Sequence, residues 1–167
     1  KEDELDDRIR HVSLSKEADI CLESLSKVRH LRSLLVMGQG RRPSCPKLTA
    51  LLSSFPYLRV LILQQVGMEG VPTSIGKLIH LRHLDLSRNP FSELPRSIKG
   101  LVHLQSLDLK LCRGLKQLPG EIGELPNLLS LDLTGCQHLE KLPGEMSNLI
   151  NLRHLPLYGC EELRQMP

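Results

Sequence analysis

The stretch LRHLDLSRNPFSELPRSIKGLVH, Leu81 to His103, carries the pattern that decides the fold. The same text restarts at Leu104 and at Leu128, and a cut-off copy begins at Leu152. Inside it Leu84 and Leu86 alternate with Asp85 and Ser87. That period of two sends the leucines to one face of a strand and the polar residues to the other. Asn89 stands where the chain must leave the strand, and its amide can bond turn backbone that a buried bend would otherwise leave unsatisfied. Phe91 and Leu94 are expected to point back into the core, and Pro95, lacking an N–H, to end any ladder. Ile98 and Leu101 then supply apolar contacts on the far side before Leu104 opens the next strand.

Aligned on the first strand leucine, the units begin at Val12, Leu34, Leu61, Leu84, Leu107, Leu131 and Leu155. Their spacing and the consensus LxxLxLxx(N/C)xLxxLPxxIxxL are the signature of leucine-rich repeats. The expected architecture is an α/β solenoid, a horseshoe of about seven repeats with a parallel concave sheet. No unit can bury its leucines alone, so stacking closes the core. Residues 1–8 read as a charged junction, and residues 9–57 as irregular first repeats with a loop insert at 38–46, where GQGRRPSCP breaks the period with Gly and Pro. Helical spacing of apolar residues is expected over Ala18–Val28 and Lys47–Phe55. Residues 58–167 read as regular repeats, the last one truncated, so the chain is expected to be part of a longer protein.

Composition narrows the function. Leucine dominates, aromatic residues are 2% and tryptophan is absent. A net charge of +3, with acidic residues mixed throughout, lacks the clustered basic excess of a nucleic-acid binder. No apolar run approaches the length of a membrane span, and KEDELDDRIR at the start has no apolar signal-peptide core.

The chemistry-bearing residues fall into columns. Cys112, Cys136 and Cys160 each take the place of Asn89 in their own unit, so their thiols are expected to serve as turn donors. One column of side chains cannot surround a zinc ion tetrahedrally, and no metal or cofactor site is expected. Cys21 and Cys45 have no evident partner, and free thiols favour a reducing, cytoplasmic compartment. His30, His80 and His103 precede the opening leucine of a unit, where Asn127 and Asn151 stand later. Their expected role is hydrogen bonding to loop backbone. His83 and His154 face the concave side about 14 Å apart at the usual strand spacing, too far to share a metal. Neither has a nucleophile at compatible spacing, so the chain is read as no enzyme.

Asp85, Asp108 and Asp132 occupy one mid-strand slot in consecutive units and should form an acidic row with neighbours about 5 Å apart. Arg82, Arg88, Lys110 and Arg153 are expected to relieve it on the same face. The row reads either as a solvated surface or as a docking strip for a basic partner segment. Arg41 and Arg42, with Lys47 nearby, read either as a solvated loop or as a contact with an acidic neighbouring domain.

LRVLILQQVGMEGVPTSIGKLIHLRHLDLSRN (Leu58–Asn89) closely resembles the repeat region of plant intracellular immune receptors of the nucleotide-binding, coiled-coil class. RHVSLS (Arg10–Ser15) and LESLSKVRHLRSLLV (Leu22–Val36) are similar to the opening repeats of such receptors. The resemblance implies a non-catalytic module whose early repeats hold the nucleotide-binding domain inactive. Its later repeats would meet a pathogen effector or a guarded host protein. It places Arg41, Arg42 and Lys47 near the internal contact. Arg82, His83, Asp85, Arg88, Asp108, Lys110, Asp132, Arg153, His154 and Tyr158 would line the recognition face. No phosphate-binding glycine loop occurs in the chain. The alternative is a free-standing cytosolic repeat scaffold, of the kind that docks small GTPases or serves as a ubiquitin-ligase adaptor.

Overall fold

The computed structural model describes residues 8–15, Leu25, residues 28–38 and residues 52–165. Six strands run parallel in chain order: β1 His11–Ser15, β2 Ser33–Met37, β3 Val60–Gln64, β4 His83–Asp85, β5 Ser106–Asp108 and β6 Ser130–Asp132. A seventh rung follows at His154, which bridges to Ser130. The register pairs Val12, Leu34, Leu61, Leu84, Leu107 and Leu131 in one row. That is the column the sequence alignment demands. From Leu34 onward its members are at most 1% exposed. Each such leucine contributes roughly 1.5–3 kcal/mol of burial.

The LPxxI text has a direct mechanical meaning. Pro72, Pro95, Pro119 and Pro143 each precede a one-turn 3-10 helix, with φ between −68° and −71°. Proline fixes that φ in advance, and its carbonyl accepts the first turn bond, as from Ile75 N–H to Pro72 O at 3.0 Å and Ile98 N–H to Pro95 O at 3.0 Å. The residue three places after the proline is buried in every case: Ile75, Ile98, Ile122 and Met146. A second parallel ladder of single bridges, Glu93 to Gln117 to Lys141 to Gln165, stops just before the proline position, where no donor is available.

Phe91 and Leu94 are buried, as their place in the unit requires. The helical segments expected over 18–28 and 47–55 lie outside the described residues except at Leu25, Val28 and residues 52–55, among which Leu25, Val28, Leu52 and Phe55 are buried. The loop insert likewise lies outside them beyond Gly38, and so do Cys21 and Cys45. Among the described residues no helix is long and apolar enough to cross a membrane.

Candidate functional site

Strand alternation leaves one face of the sheet free of core leucines. Its middle row reads Leu35, Ile62, Asp85, Asp108, Asp132 across β2 to β6. The row thus passes from apolar to acidic, and Leu35 and Ile62 stay only half-buried. Met37 beside them is 44% exposed. Sequence reasoning picked out the acidic half and passed over the apolar half, because Leu35 and Ile62 look like core residues until the register shows their parity.

The three aspartates are held by local bonds. Asp85 Oδ1 accepts the Ser87 N–H, Asp108 Oδ1 the Lys110 N–H and Asp132 Oδ1 the Thr134 N–H, each at 2.8 Å. Of Arg82, Arg88, Lys110 and Arg153, expected to relieve the row, Lys110 does so for Asp108 through its charge and without direct pairing. Among the described residues no ion pair within 4.0 Å reaches any of the three carboxylates. The backbone N–H two residues on is nearer and already fixed, so it takes the first oxygen. Burial pushes the Asp108 carboxyl above its ordinary range; the Lys110 N–H opposes this, Asp85 and Asp132 add to it, and the Lys110 charge lowers it least.

The remaining residues of the expected recognition face separate into positions. His83 is exposed within β4, and His154 is exposed at the seventh rung. Lys110 and Tyr158 are exposed beyond the strand ends, Tyr158 at 87%. Arg88 occupies a left-handed turn position with φ 60°. Arg82 and Arg153 stand just ahead of the strand residues, where their N–H groups bond Arg59 O and Leu129 O of the preceding unit at 2.8 Å. Arg41, Arg42 and Lys47 lie outside the described residues.

The turn column matches its sequence reading. Asn89 donates to the carbonyls of Leu63, Leu86 and Ser87 at 2.7, 2.8 and 3.2 Å, and accepts the Met68 N–H at 3.1 Å. In the following units the thiols of Cys112, Cys136 and Cys160 donate to Leu86 O, Leu109 O and Leu133 O at 3.1–3.2 Å. The histidine column differs from expectation. Asn127 and Asn151 do bond the preceding loop, to Val102 O at 2.7 Å and Pro126 O at 2.8 Å. The rings of His30, Tyr57, His80 and His103 stack in series, with centroids 5.8, 6.1 and 6.4 Å apart, and those of His80 and His103 do so in place of such a bond. Near-parallel rings repeated at this spacing gain from offset stacking. Among the described residues no group of three or more His, Cys, Asp or Glu side chains could hold a metal ion.

Comparison with known proteins places this geometry. The family described as a leucine-rich repeat region matches residues 30–166. A putative disease resistance protein of Arabidopsis thaliana is 45% identical over 58 residues, which cover 34% of this chain and 6% of that protein. The putative disease resistance protein RGA1 of Solanum bulbocastanum is 52% identical over 40 residues, covering 24% of this chain and 4% of that protein. The chain therefore aligns with only a small part of these relatives. Among solved structures, a leucine-rich-repeat protein of Leptospira interrogans superposes with a TM-score of 0.76 at 29% identity, covering 89% of this chain and 36% of its own. The plant peptide hormone receptor RGFR1 in complex with RGF2 gives 0.69 at 28% identity, covering 96% of this chain and 28% of the receptor.

Proposed function

Because the chain belongs to the leucine-rich repeat region family, we propose that it is a non-catalytic protein-recognition module that engages its partner on the open face of the sheet. The observation that carries this is the row Leu35, Ile62, Asp85, Asp108, Asp132, an apolar-to-acidic strip across five strands. Each aspartate has one oxygen committed to its own turn. The second oxygen is left for a basic partner group, and the half-buried leucine and isoleucine for an apolar one.

The similarity to disease resistance proteins supports a narrower reading. In it the module works in the cytoplasm of a plant immune receptor and senses a pathogen effector or a guarded host protein. Its early repeats, with Arg41, Arg42 and Lys47, contact the receptor's own nucleotide-binding domain and help to keep it inactive. Recognition residues in this reading are Arg82, His83, Asp85, Arg88, Asp108, Lys110, Asp132, Arg153, His154 and Tyr158.

Charge reversal at Asp108 tests the face. Asp108→Lys is expected to alter partner binding while the melting curve stays cooperative. Unchanged binding would reduce the acidic row to a solvated surface. Binding of the chain to an isolated nucleotide-binding module from a resistance protein supports the receptor reading. Binding to a small-GTPase switch surface instead would move the assignment to a free-standing scaffold.

A further inference from the structure

A second surface runs along the edge of the recognition face just proposed and shares Arg82 with it. The tripeptide His-Leu-Arg or Tyr-Leu-Arg occurs in register in three consecutive units: His30 to Arg32, Tyr57 to Arg59 and His80 to Arg82. In each the central leucine is 0% exposed: Leu31, Leu58 and Leu81. The core therefore grips the middle of the tripeptide, and the ring and the arginine on either side stay at the surface. Arg32, Arg59 and Arg82 are all exposed.

Their backbones are clamped one to the next. Arg59 and Val60 both donate to Arg32 O, at 2.8 and 3.0 Å, and Arg82 and His83 both donate to Arg59 O, at 2.8 and 3.1 Å. The three guanidinium arms consequently spring from bases about 4.8 Å apart, the spacing of paired strands. Among the described residues no ion pair within 4.0 Å involves any of the three. The whole row spans about one Debye length, so its charges repel one another unless an anionic ligand neutralises them. Beside it runs the ring ladder, in which Tyr57 is 50% exposed and lies between His30 and His80.

We infer that this edge is a docking strip for an extended acidic segment of a partner protein, with carboxylates on alternate residues. Three features choose that occupant. Guanidinium forks pair bidentately with carboxylates. An extended chain repeats its side chains on one face about every 6.8 Å, a distance that arginine arms fanning from bases about 4.8 Å apart can follow. A single-stranded nucleic acid would instead need free ring faces for base stacking. Here the faces of Tyr57 and His80 are taken up within the ladder, at interplanar angles of 5–19°.

The test uses the full chain and a fluorophore-labelled heptapeptide of alternating glutamate and serine, read by anisotropy. A lysine–serine peptide and a labelled oligothymidylate of equal length serve as controls. The glutamate peptide is expected to bind in preference to both, with an affinity that falls as salt rises. The combined substitution of Arg32, Arg59 and Arg82 to Ala should weaken it about tenfold or more. Asp108→Lys on the open face should not weaken it. The side chains are exposed, so the triple variant is expected to keep its melting transition; should it unfold, Arg59→Glu alone is to give the same loss. No binding of the acidic peptide, binding indifferent to the arginine substitutions, or tighter binding of oligothymidylate would each overturn the inference.

Discussion

The Asn89 amide donates to the Leu63 carbonyl of the preceding repeat at 2.7 Å, and one repeat later the Cys112 thiol donates to Leu86 O at 3.2 Å. The two residues perform the same task with unequal strength. Asn89 also bonds Leu86 O and Ser87 O and accepts the Met68 N–H. Asn89 is 1% exposed, so Asn89→Ala would strand its buried partners, for a cost of about 3 kcal/mol. Asn89→Cys restores the bond to Leu63 O alone and should cost clearly less. Urea denaturation of the two variants ranks them; equal midpoints would show that the amide's extra bonds contribute nothing.

The thiol column makes a prediction about reactivity and alkali. Cys112 and Cys136 are 0% exposed, and burial pushes both thiols from the ordinary 9.0 up to about 12. Burial raises Cys160 as well, although that side chain is only half-buried. Thiolate is the reactive form. In native protein at pH 8, Cys160 should therefore react with a disulfide reagent while Cys112 and Cys136 stay protected until urea unfolds the chain. The linkage has a definite sign. A raised acid pKa means that the folded state keeps its proton longer, so the stability from these thiols is present below pH 9.0 and is lost as pH rises toward about 12. Replacing both with Ala should flatten the alkaline arm of a stability–pH curve. An unchanged arm would assign that loss to other groups.

Asp108 separates charge from hydrogen bonding. Its Oδ1 accepts the Lys110 N–H at 2.8 Å, and burial with two acidic neighbours raises its carboxyl above 3.8. The folded state thus favours the protonated acid. Stability from this group is fully present below pH 3.8 and falls as pH rises through the raised folded value. Asp108→Asn keeps the acceptor and removes the charge, so it should melt at or above the parent temperature at pH 7. Asp108→Ala loses the turn bond and should cost about 1 kcal/mol. Melting curves between pH 4 and 7 test both; an Asn variant less stable than the Ala variant would contradict this division.

Much of this was legible because the core is one-dimensional. Once Leu84, Leu107 and Leu131 are aligned, strand order, register and the turn role of Asn89 and the cysteines follow, since each repeat sees only its neighbours. The alignment of Asp85, Asp108 and Asp132 in one row across three strands was legible as well. What escaped were preferences settled by geometry at the scale of a single bond. That each aspartate accepts the N–H two residues on was not anticipated. The rings of His80 and His103 were expected to bond backbone, and they stack at 6.4 Å. The apolar half of the strip, Leu35 and Ile62, was hidden because leucine and isoleucine read the same on either face.

The left-handed column was hidden too, and it yields the last prediction. Gln65, Arg88 and Leu111, followed by Gly135 and Gly159, hold one turn position with φ of 54°, 60°, 58°, 73° and 76°. Only the last two are the residue that adopts this conformation without a Cβ clash. At Gly135 an added Cβ would also meet Leu111 Cδ2 at 2.6 Å. Gly135→Ala should therefore cost about 1–2 kcal/mol. Arg88 is the reverse case: exposed and held at φ 60° with its N–H bonded to Lys110 O at 2.8 Å. Arg88→Gly keeps that bond and relieves the backbone, at the expense of a more flexible unfolded chain, for a net gain of up to about 1 kcal/mol. Urea midpoints that move in opposite directions for the two variants would establish the column as a strained turn that glycine relaxes. A loss of stability in Arg88→Gly would mean that the arginine side chain contributes more than its strained backbone costs.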